Sequence, residues 1–258
     1  MKDITIAYIQ ADLVWEDVIA NLIKFEKQFK SIEDVDIVVL PEMFNTGFTM
    51  NVVEYAQNHD DIVEQWMKKQ SALYGFMLIG SVIYNNNGNY YNRLLIVHPS
   101  GEVDWYDKRH LFRLSDEHKK IKQGQYNPII KYKDWNIKAL ICYDLRFPVW
   151  SRNKDNAYDL LIYVANWPKS RSEVWNVLLK ARAIENQSYV VGVNRVGKDF
   201  NGVKHSGDSM VVRFDGQIIS ELPKNKEGIG IVTISKDKQQ EFRESFPVYK
   251  DADEFDII

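Results

Sequence analysis

The chain has 258 residues, of which 45% are hydrophobic and 27% charged, and its formal net charge at pH 7 is −3. These values are typical of a globular protein with one large domain or two small ones. Acidic and basic residues are interspersed without a Lys/Arg block, and no apolar run approaches the ~20 residues that span a bilayer, so neither nucleic acid nor a membrane is a predicted partner.

The chain contains a single cysteine, which excludes an intrachain disulfide bond. A free thiol fits a reducing compartment. The first residues pass directly into a strand pattern and lack the basic and then apolar layout of a signal peptide. We therefore expect a cytoplasmic protein.

Strands and amphipathic helices alternate in the first part of the chain. The predicted elements are strands at 3–10 and 36–40, helices at 15–32 and 60–74, and strands at 76–84, 90–98 and 103–107. The run from Ile37 to Leu40 is continuously apolar, which is typical of a strand buried on both faces. This strand ends abruptly at Pro41-Glu42.

Segment 108–124 is rich in charges and has little periodicity, which predicts a long functional loop. Beyond it we predict strands at 129–132, 135–141, 159–165, 189–194, 209–214, 217–222 and 228–234, and helices at 172–187 and 236–246. Without repeats or linkers, 1–258 is predicted as one domain, with its core at about 3–235 and a C-terminal extension at 236–258. The pattern favours an α/β fold in which two mixed sheets pack together beneath outer helices.

Cys142 directly follows the apolar strand predicted at 135–141, and Pro148 suits the first turn of a following helix. The thiol is thus predicted at a strand-to-helix elbow, where backbone N–H groups face a cleft. A lone cysteine is more often a small buried hydrophobe. A nucleophilic thiol needs a neighbouring base or cation, because its ordinary pKa is about 8.5.

Two other predicted strands end at groups that meet this need. Glu42 follows the strand at 36–40, and Lys108 follows the strand at 103–107. Taken singly, Glu42 is explained as a helix cap and Lys108 as a surface lysine. Because ligands bind at the carboxyl ends of strands in α/β layers, the three residues together favour one site.

These three blocks resemble those of the nitrilase superfamily of carbon–nitrogen hydrolases. The matching segments are 41–44, 106–112 and 141–148, and the resemblance covers nearly the whole chain. It implies a four-layer α-β-β-α sandwich. Segments 107–112, 117–118 and 142–150 are similar to the omega-amidase branch, whose members hydrolyse the terminal amide of 2-oxoglutaramate and 2-oxosuccinamate.

The resemblance also implies catalytic roles. Cys142 is the nucleophile, Glu42 is the general base and later the acid, and Lys108 stabilises the tetrahedral intermediate. Glu117, in the charged loop, matches a second glutamate beside this triad. The expected reaction passes through a thioester that water hydrolyses, and it requires no metal or organic cofactor.

Substrate-binding residues are implied less directly. Arg146 matches an arginine that holds the substrate's carboxylate, for which a planar guanidinium is suited. Its alternative is a structural ion pair with Asp144. Ser170 matches a small hydroxyl residue near the substrate, and the backbone N–H of Tyr143 is the second expected donor to the oxyanion. Candidate walls of a small pocket are Phe44, Phe48, Tyr143 and Trp167, although aromatic residues are more often core.

The leading prediction is therefore a cofactor-free omega-amidase that acts on a small-molecule amide. Another amidase or an N-carbamoyl amide hydrolase of the same superfamily is the alternative. A non-catalytic scaffold is a third interpretation, which the complete set of Glu42, Lys108 and Cys142 disfavours.

The resemblance also implies a homodimer formed through the helices after the elbow and through the C-terminal segment. Candidate interface residues are Trp150, Trp175 and segment 246–258, with ordinary core packing as the alternative.

Overall fold

The computed structural model describes residues 3–58 and 61–256. In this part of the chain, two six-stranded mixed sheets lie face to face beneath outer helices, with a two-stranded hairpin beside them. The strands are β1 (Ile4–Gln10), β2 (Ile37–Val39), β3 (Met77–Asn86), β4 (Asn89–Val97), β5 (Val103–Asp107), β6 (Ile130–Tyr132), β7 (Trp135–Ile141), β8 (Leu160–Ala165), β9 (Tyr189–Asn194), β10 (Val196–Lys198), β11 (Lys204–Ser206), β12 (Met210–Val212), β13 (Ile218–Glu221) and β14 (Gly228–Ile234). The helices are α1 (Val18–Phe29), α2 (Val52–Tyr55), α3 (Ile62–Tyr74), α4 (Glu117–Lys120), α5 (Pro148–Ser151), α6 (Ser172–Asn186) and α7 (Lys236–Ser245).

The first sheet has the order β14-β1-β2-β3-β4-β5. Its three central strands, β1, β2 and β3, run parallel, as the predicted strand–helix–strand crossover requires. Helices α1 and α3 cover its outer face, where Phe25, Phe29 and Trp66 pack against one another. Asp17 caps α1 by accepting a hydrogen bond from the backbone N–H of Ala20.

The second sheet has the order β13-β12-β9-β8-β7-β6, with β7, β8 and β9 parallel. Helix α6 covers its outer face through Trp175 and Leu179, both fully buried. The Trp175 indole N–H donates to the carbonyl of Asp208, and that of Trp150 donates to the hydroxyl of Tyr106. Both tryptophans are therefore core residues and do not form an exposed interface.

The main core lies between the sheets and explains the continuously apolar strands. Ile37 and Val39 of β2 belong to this inner core, whereas Val38 packs under the outer helices. All three are fully buried, and burying each such side chain is worth about 1.5–3 kcal/mol. The predicted four-layer α-β-β-α arrangement is confirmed.

The structure adds elements to the sequence prediction. The hairpin of β10 and β11 and the short helix α2 were not predicted, because each is too short to carry a periodic pattern. Residue 60 of the predicted helix 60–74 and residues 257–258 of the predicted extension lie outside the described residues. Across 3–58 and 61–256, no helix combines the length and the apolar character needed to cross a membrane.

The C-terminal helix α7 packs against the second sheet. The Arg243 guanidinium contacts the Asp159 carboxylate at 3.1 Å and donates to the carbonyl of Tyr158 at 2.8 Å. The side chain of Gln239 donates to the carbonyl of Asp159. The segment predicted as an extension therefore contributes buried polar contacts to the fold.

Candidate active site

Glu42, Lys108 and Cys142 meet where their strands end. The Lys108 ammonium lies 2.9 Å from Oε1 of Glu42, and both side chains are fully buried. The half-buried Cys142 thiol lies beside them, close enough to Glu42 for that carboxylate to raise the pKa of the thiol. The juxtaposition predicted from three strand exits is therefore present.

The backbone is strained on both sides of this contact. Cys142 and Met43 each have a φ of 45°, in the left-handed region that side-chain-bearing residues rarely adopt. Such a conformation costs about 1–3 kcal/mol and persists only where the surroundings impose it. At the elbow this conformation ends β7 and turns the chain at the thiol.

Asp144 holds the elbow in place. It is fully buried and accepts hydrogen bonds from the Tyr106 hydroxyl, from the backbone N–H of Ile141 and from His110. The His110 ring also contacts Asp144 at 2.8 Å. Because these donors use both carboxylate oxygens, the predicted alternative of an Arg146–Asp144 ion pair is wrong.

Two asparagines orient the Glu42 carboxylate. The Asn92 side chain donates to Oε1 at 2.8 Å, and the backbone N–H of Asn166 donates to Oε2 at 2.8 Å. Neither asparagine is among the site residues predicted from the sequence. Asn166 directly follows the buried strand β8, so the strand-end rule used for Glu42 points to it equally, whereas Asn92 inside β4 carries no such signal.

Glu117 is the second carboxylate that contacts the lysine. Its two oxygens are 3.0 and 3.1 Å from the Lys108 ammonium, and the backbone N–H of Phe112 donates to it at 2.5 Å. The loop closes back on β5 at Gly124, whose N–H donates to the carbonyl of Lys108. A Cβ at Gly124 would lie 2.1 Å from the carbonyl oxygen of Asp107, so only glycine permits this approach.

The pKa values of Lys108, Cys142 and Glu117 are all raised in this cluster, but for different reasons. Burial lowers the pKa of Lys108, but the charges of Glu117 and Glu42 outweigh it and hold that pKa well above its ordinary value. Burial raises the pKa of Cys142, and the Glu42 carboxylate raises it further against the opposing effect of Lys108. The pKa of Glu117 is also raised, mainly by burial. Lys108 is therefore a permanent ammonium, and the resting thiol keeps its proton.

A cavity of about 980 Å³ opens onto this cluster. Predicted site residues in its lining are Glu42, Phe48, Lys108, Cys142, Tyr143, Arg146, Trp167 and Ser170. Phe44 was predicted as a wall of this pocket, and that prediction is wrong. It is fully buried under helix α1, with its ring 5.7 Å from that of Phe25. Gly80 makes room for it, since a Cβ there would lie 2.7 Å from the Phe44 ring.

Comparison with known proteins agrees with this arrangement. Residues 5–244 match the carbon-nitrogen hydrolase family. This chain belongs to the carbon–nitrogen hydrolases. The predicted family membership is therefore confirmed.

Relatives of this carbon–nitrogen hydrolase match its whole length. Omega-amidase YafV of Escherichia coli (strain K12) is 46% identical over 255 residues, covering 99% of both chains. The 2-oxoglutaramate amidase of Bacillus subtilis (strain 168) is 33% identical and covers 96% of both. The structure of XC1258 from Xanthomonas campestris, a CN-hydrolase superfamily protein with an arsenic adduct in its active site, is 37% identical, with a TM-score of 0.97 and full coverage of both chains.

The cavity of this hydrolase has walls that the sequence analysis did not assign. Phe112 packs against Tyr143, with ring centroids 5.3 Å apart, and Trp15 stacks on Phe200 at 6.0 Å. His205 also lines the cavity, and burial and the charge of Arg195 lower its pKa to about 3. These residues come from segments far apart in the chain, so no local pattern points to them.

The remaining titratable groups do not form a metal centre within the described ranges. Among residues 3–58 and 61–256, no three His, Cys, Asp or Glu side chains are arranged to hold a metal ion. The buried imidazole of His205 is neutral at physiological pH because of its lowered pKa.

Proposed function

We infer that this carbon–nitrogen hydrolase is an omega-amidase. It hydrolyses the terminal amide of 2-oxo dicarboxylic acid monoamides, such as 2-oxoglutaramate and 2-oxosuccinamate, to the 2-oxo acid and ammonia. The observation that carries the inference is the buried contact of Glu42, Lys108 and Cys142 at a cavity that also contains the guanidinium of Arg146. Full-length similarity to an omega-amidase and a 2-oxoglutaramate amidase supports the substrate class.

The roles proposed for the first half-reaction follow from the contacts. As the Cys142 sulfur forms a bond to the amide carbon, its proton passes to the Glu42 carboxylate in the same cavity wall. The carbonyl oxygen becomes an anion, which the Lys108 ammonium and the backbone N–H of Tyr143 stabilise. Glu42 then protonates the nitrogen, the C–N bond breaks, and ammonia leaves.

The second half-reaction uses the same groups in reverse. Glu42 takes a proton from water as the water oxygen bonds to the thioester carbon. The C–S bond breaks, the acid product forms, and the sulfur regains its proton from Glu42. Glu117 acts as a positioning residue, because it is a second carboxylate that holds the Lys108 ammonium.

Arg146 is proposed as the partner of the substrate's distal carboxylate. Its guanidinium lies over the Trp167 ring, 5.1 Å from the centroid, and makes no ion pair with any other residue of 3–58 or 61–256. Stacking on the ring leaves the edge N–H groups free to donate. Ser170, exposed at the cavity rim, is proposed to donate its hydroxyl to the same ligand.

A substrate panel tests the proposal. We expect ammonia release from 2-oxoglutaramate and 2-oxosuccinamate with kcat/KM at least about 100-fold above the values for glutamine and asparagine, because neither amino acid offers a 2-oxo acid group. N-carbamoyl amino acids and an aliphatic nitrile complete the panel. A higher kcat/KM for an N-carbamoyl amino acid would replace this proposal with the carbamoyl hydrolase alternative.

We also propose that the protein forms a homodimer through helices α5 and α6. Val149, Val177 and Ile184 on these helices are each more than half exposed, an unusual place for three apolar side chains on neighbouring elements. Light scattering after gel filtration is expected to give the mass of two chains. The double variant Val177→Glu/Ile184→Glu is expected to be monomeric, because it buries charge in the interface.

Leu73→Glu is the matched control for this test. Leu73 is equally exposed but lies on α3, which covers the other sheet. If both the double variant and Leu73→Glu remain dimeric, the α5–α6 interface is contradicted.

We also propose that the chain forms a single domain and that the protein is cytoplasmic. The location is proposed because a nucleophilic thiol must remain reduced.

A further inference from the structure

Arg171 lies in the same cavity as the thiol, on the turn of residues Lys169–Arg171 that precedes α6. Its guanidinium lies over the Phe112 ring, 5.4 Å from the centroid. Its backbone is held at both ends: the N–H donates to the carbonyl of Pro168, and the carbonyl accepts the Trp167 indole N–H at 2.8 Å. Arg171 is therefore a fixed part of the wall.

No carboxylate within the described cavity wall neutralises this guanidinium. Glu42 is paired with Lys108, and Glu16 accepts hydrogen bonds from the side chains of Thr49 and Asn51. The third lining carboxylate, Asp199, accepts from the backbone N–H of Val203. Arg171 and Arg146 are thus two cations of the wall without an anionic partner in residues 3–58 and 61–256.

Arg146 and Arg171 both contact Trp167, but in different ways. Arg146 lies over the face of its indole, whereas Arg171 holds its N–H edge through the backbone. The proposed substrate has one carboxylate, and Arg146 suffices to bind it bidentately. The Arg171 guanidinium is then a second cationic donor in the same cavity, available to the other polar group of this substrate class, the 2-oxo group beside that carboxylate.

We propose that Arg171 is a specificity-determining residue that selects a 2-oxo group over a 2-ammonium group beside the substrate's carboxylate. A 2-oxo oxygen accepts a hydrogen bond from the guanidinium. The ammonium of glutamine meets a like charge instead, and like charges in contact oppose binding. This inference rests on the proposed omega-amidase function and adds a reason why the cavity rejects amino acid amides.

The test uses three amides of equal length that differ only at C2: 2-oxoglutaramate, glutaramate and L-glutamine. For the wild type, kcat/KM is expected to fall in that order. In Arg171→Gln, the ratio of kcat/KM for 2-oxoglutaramate to that for glutamine is expected to fall at least about tenfold, chiefly through KM. Arg171→Lys keeps the charge without the planar fork, and it is expected to retain the rejection of glutamine.

Two arginine variants serve as controls. Arg146→Gln is expected to lower kcat/KM for all three amides by a similar factor, because all three carry the carboxylate that Arg146 is proposed to bind. Arg113→Gln removes an exposed guanidinium of the charged loop 108–124 that lies outside this cavity. It is expected to leave kcat/KM for all three amides unchanged. Thermal unfolding of each variant confirms that the fold is retained.

The selection by Arg171 would be overturned if Arg171→Gln lowers kcat/KM by the same factor for all three amides. It would also be overturned if the variant keeps the wild-type ratio of kcat/KM for 2-oxoglutaramate to that for glutamine. Failure of the omega-amidase proposal gives a different result, because the wild type would then ignore 2-oxoglutaramate. Even in that case, the ratio of kcat/KM for glutaramate to that for glutamine measures the repulsion of the ammonium. If Arg171→Gln keeps the wild-type value of this ratio, repulsion by Arg171 is rejected.

Discussion

Replacing Cys142 by alanine is expected to lower kcat for ammonia release from 2-oxoglutaramate by at least about 10⁴-fold. The chain contains no second cysteine to replace the nucleophile. Glu42 and Lys108 keep their mutual contact in this variant, so the cavity and its charges stay intact. We therefore expect the Kd of the product 2-oxoglutarate to change less than about threefold, which calorimetry measures.

Glu42→Gln is the matched comparison, because it retains the thiol and removes the proposed base. We expect kcat to fall by about 10³-fold, within the range of general base catalysis. The pKa of the Cys142 thiol is expected to move down. Burial still raises it, but the raising effect of the Glu42 charge is lost while the lowering effect of Lys108 remains.

The pH dependence of alkylation by iodoacetamide measures this shift. Since alkylation requires the thiolate, the rate in the wild type is expected to rise only above the pH range of an ordinary thiol, and in Glu42→Gln at lower pH. The Cys142→Ala variant is the blank. Full amidase activity in Glu42→Gln, or an upward shift of its alkylation profile, would contradict the role assigned to Glu42.

Replacing Lys108 by methionine is expected to cost both activity and stability. Loss of a donor to the oxyanion typically lowers kcat by about 10²–10³-fold. Removal of one partner from a buried ionic cluster typically lowers the free energy of unfolding by about 3–5 kcal/mol, because Glu42 and Glu117 are left without a counter-charge. Urea unfolding at several pH values measures the stability loss.

The sign of its pH dependence follows from Glu117. Its pKa is already raised by burial despite the lowering effect of Lys108, so it rises further in Lys108→Met. A carboxyl whose pKa is higher in the folded than in the unfolded state stabilises the fold below its unfolded pKa, and this stability is lost as the pH rises through the folded pKa. The deficit relative to wild type is therefore smallest near pH ~4 and grows towards neutral pH.

Lys108→Met/Glu117→Gln separates stability from activity. Removing one of the two carboxylates is expected to restore part of the lost stability at neutral pH, because only Glu42 then remains charged. It cannot restore kcat, since the ammonium is still absent. A Lys108→Met deficit that does not vary with pH, or a double variant that is no more stable at pH 7, would contradict this electrostatic account.

The strand pattern and the chemical types at strand exits could be predicted from the sequence. Continuous apolar runs such as 160–165 predict buried strands, because both faces of a central strand lie in a core. Glu42, Lys108 and Cys142 could be placed together because each lies within three residues of the carboxyl end of a strand. These predictions depend only on local composition and on the general geometry of α/β layers.

Other parts of the site could not be predicted, because they depend on contacts between distant segments. Asp144 is two residues from both Cys142 and Arg146. Its side-chain partners nevertheless include Tyr106, in strand β5 of the other sheet, and His110, in the loop that follows β5. From the sequence, Phe44 is a candidate wall of the pocket, with core packing as the alternative. It turns instead towards α1, where Gly80 leaves space for its ring.

The sequence by itself determined the layers, the elbow and the three reactive groups of this hydrolase, because periodicity and strand ends are local properties. Only the tertiary structure decided which polar groups are paired. It assigned Asn92 and Asn166 to Glu42 and raised the pKa of Cys142 by burial beside Glu42. Within residues 3–58 and 61–256, it left Arg146 and Arg171 without carboxylate partners. Pairing and burial depend on distances between segments far apart in the chain, such as Glu42 and Asn166, which are 124 residues apart, and the order of residues along the chain does not contain these distances.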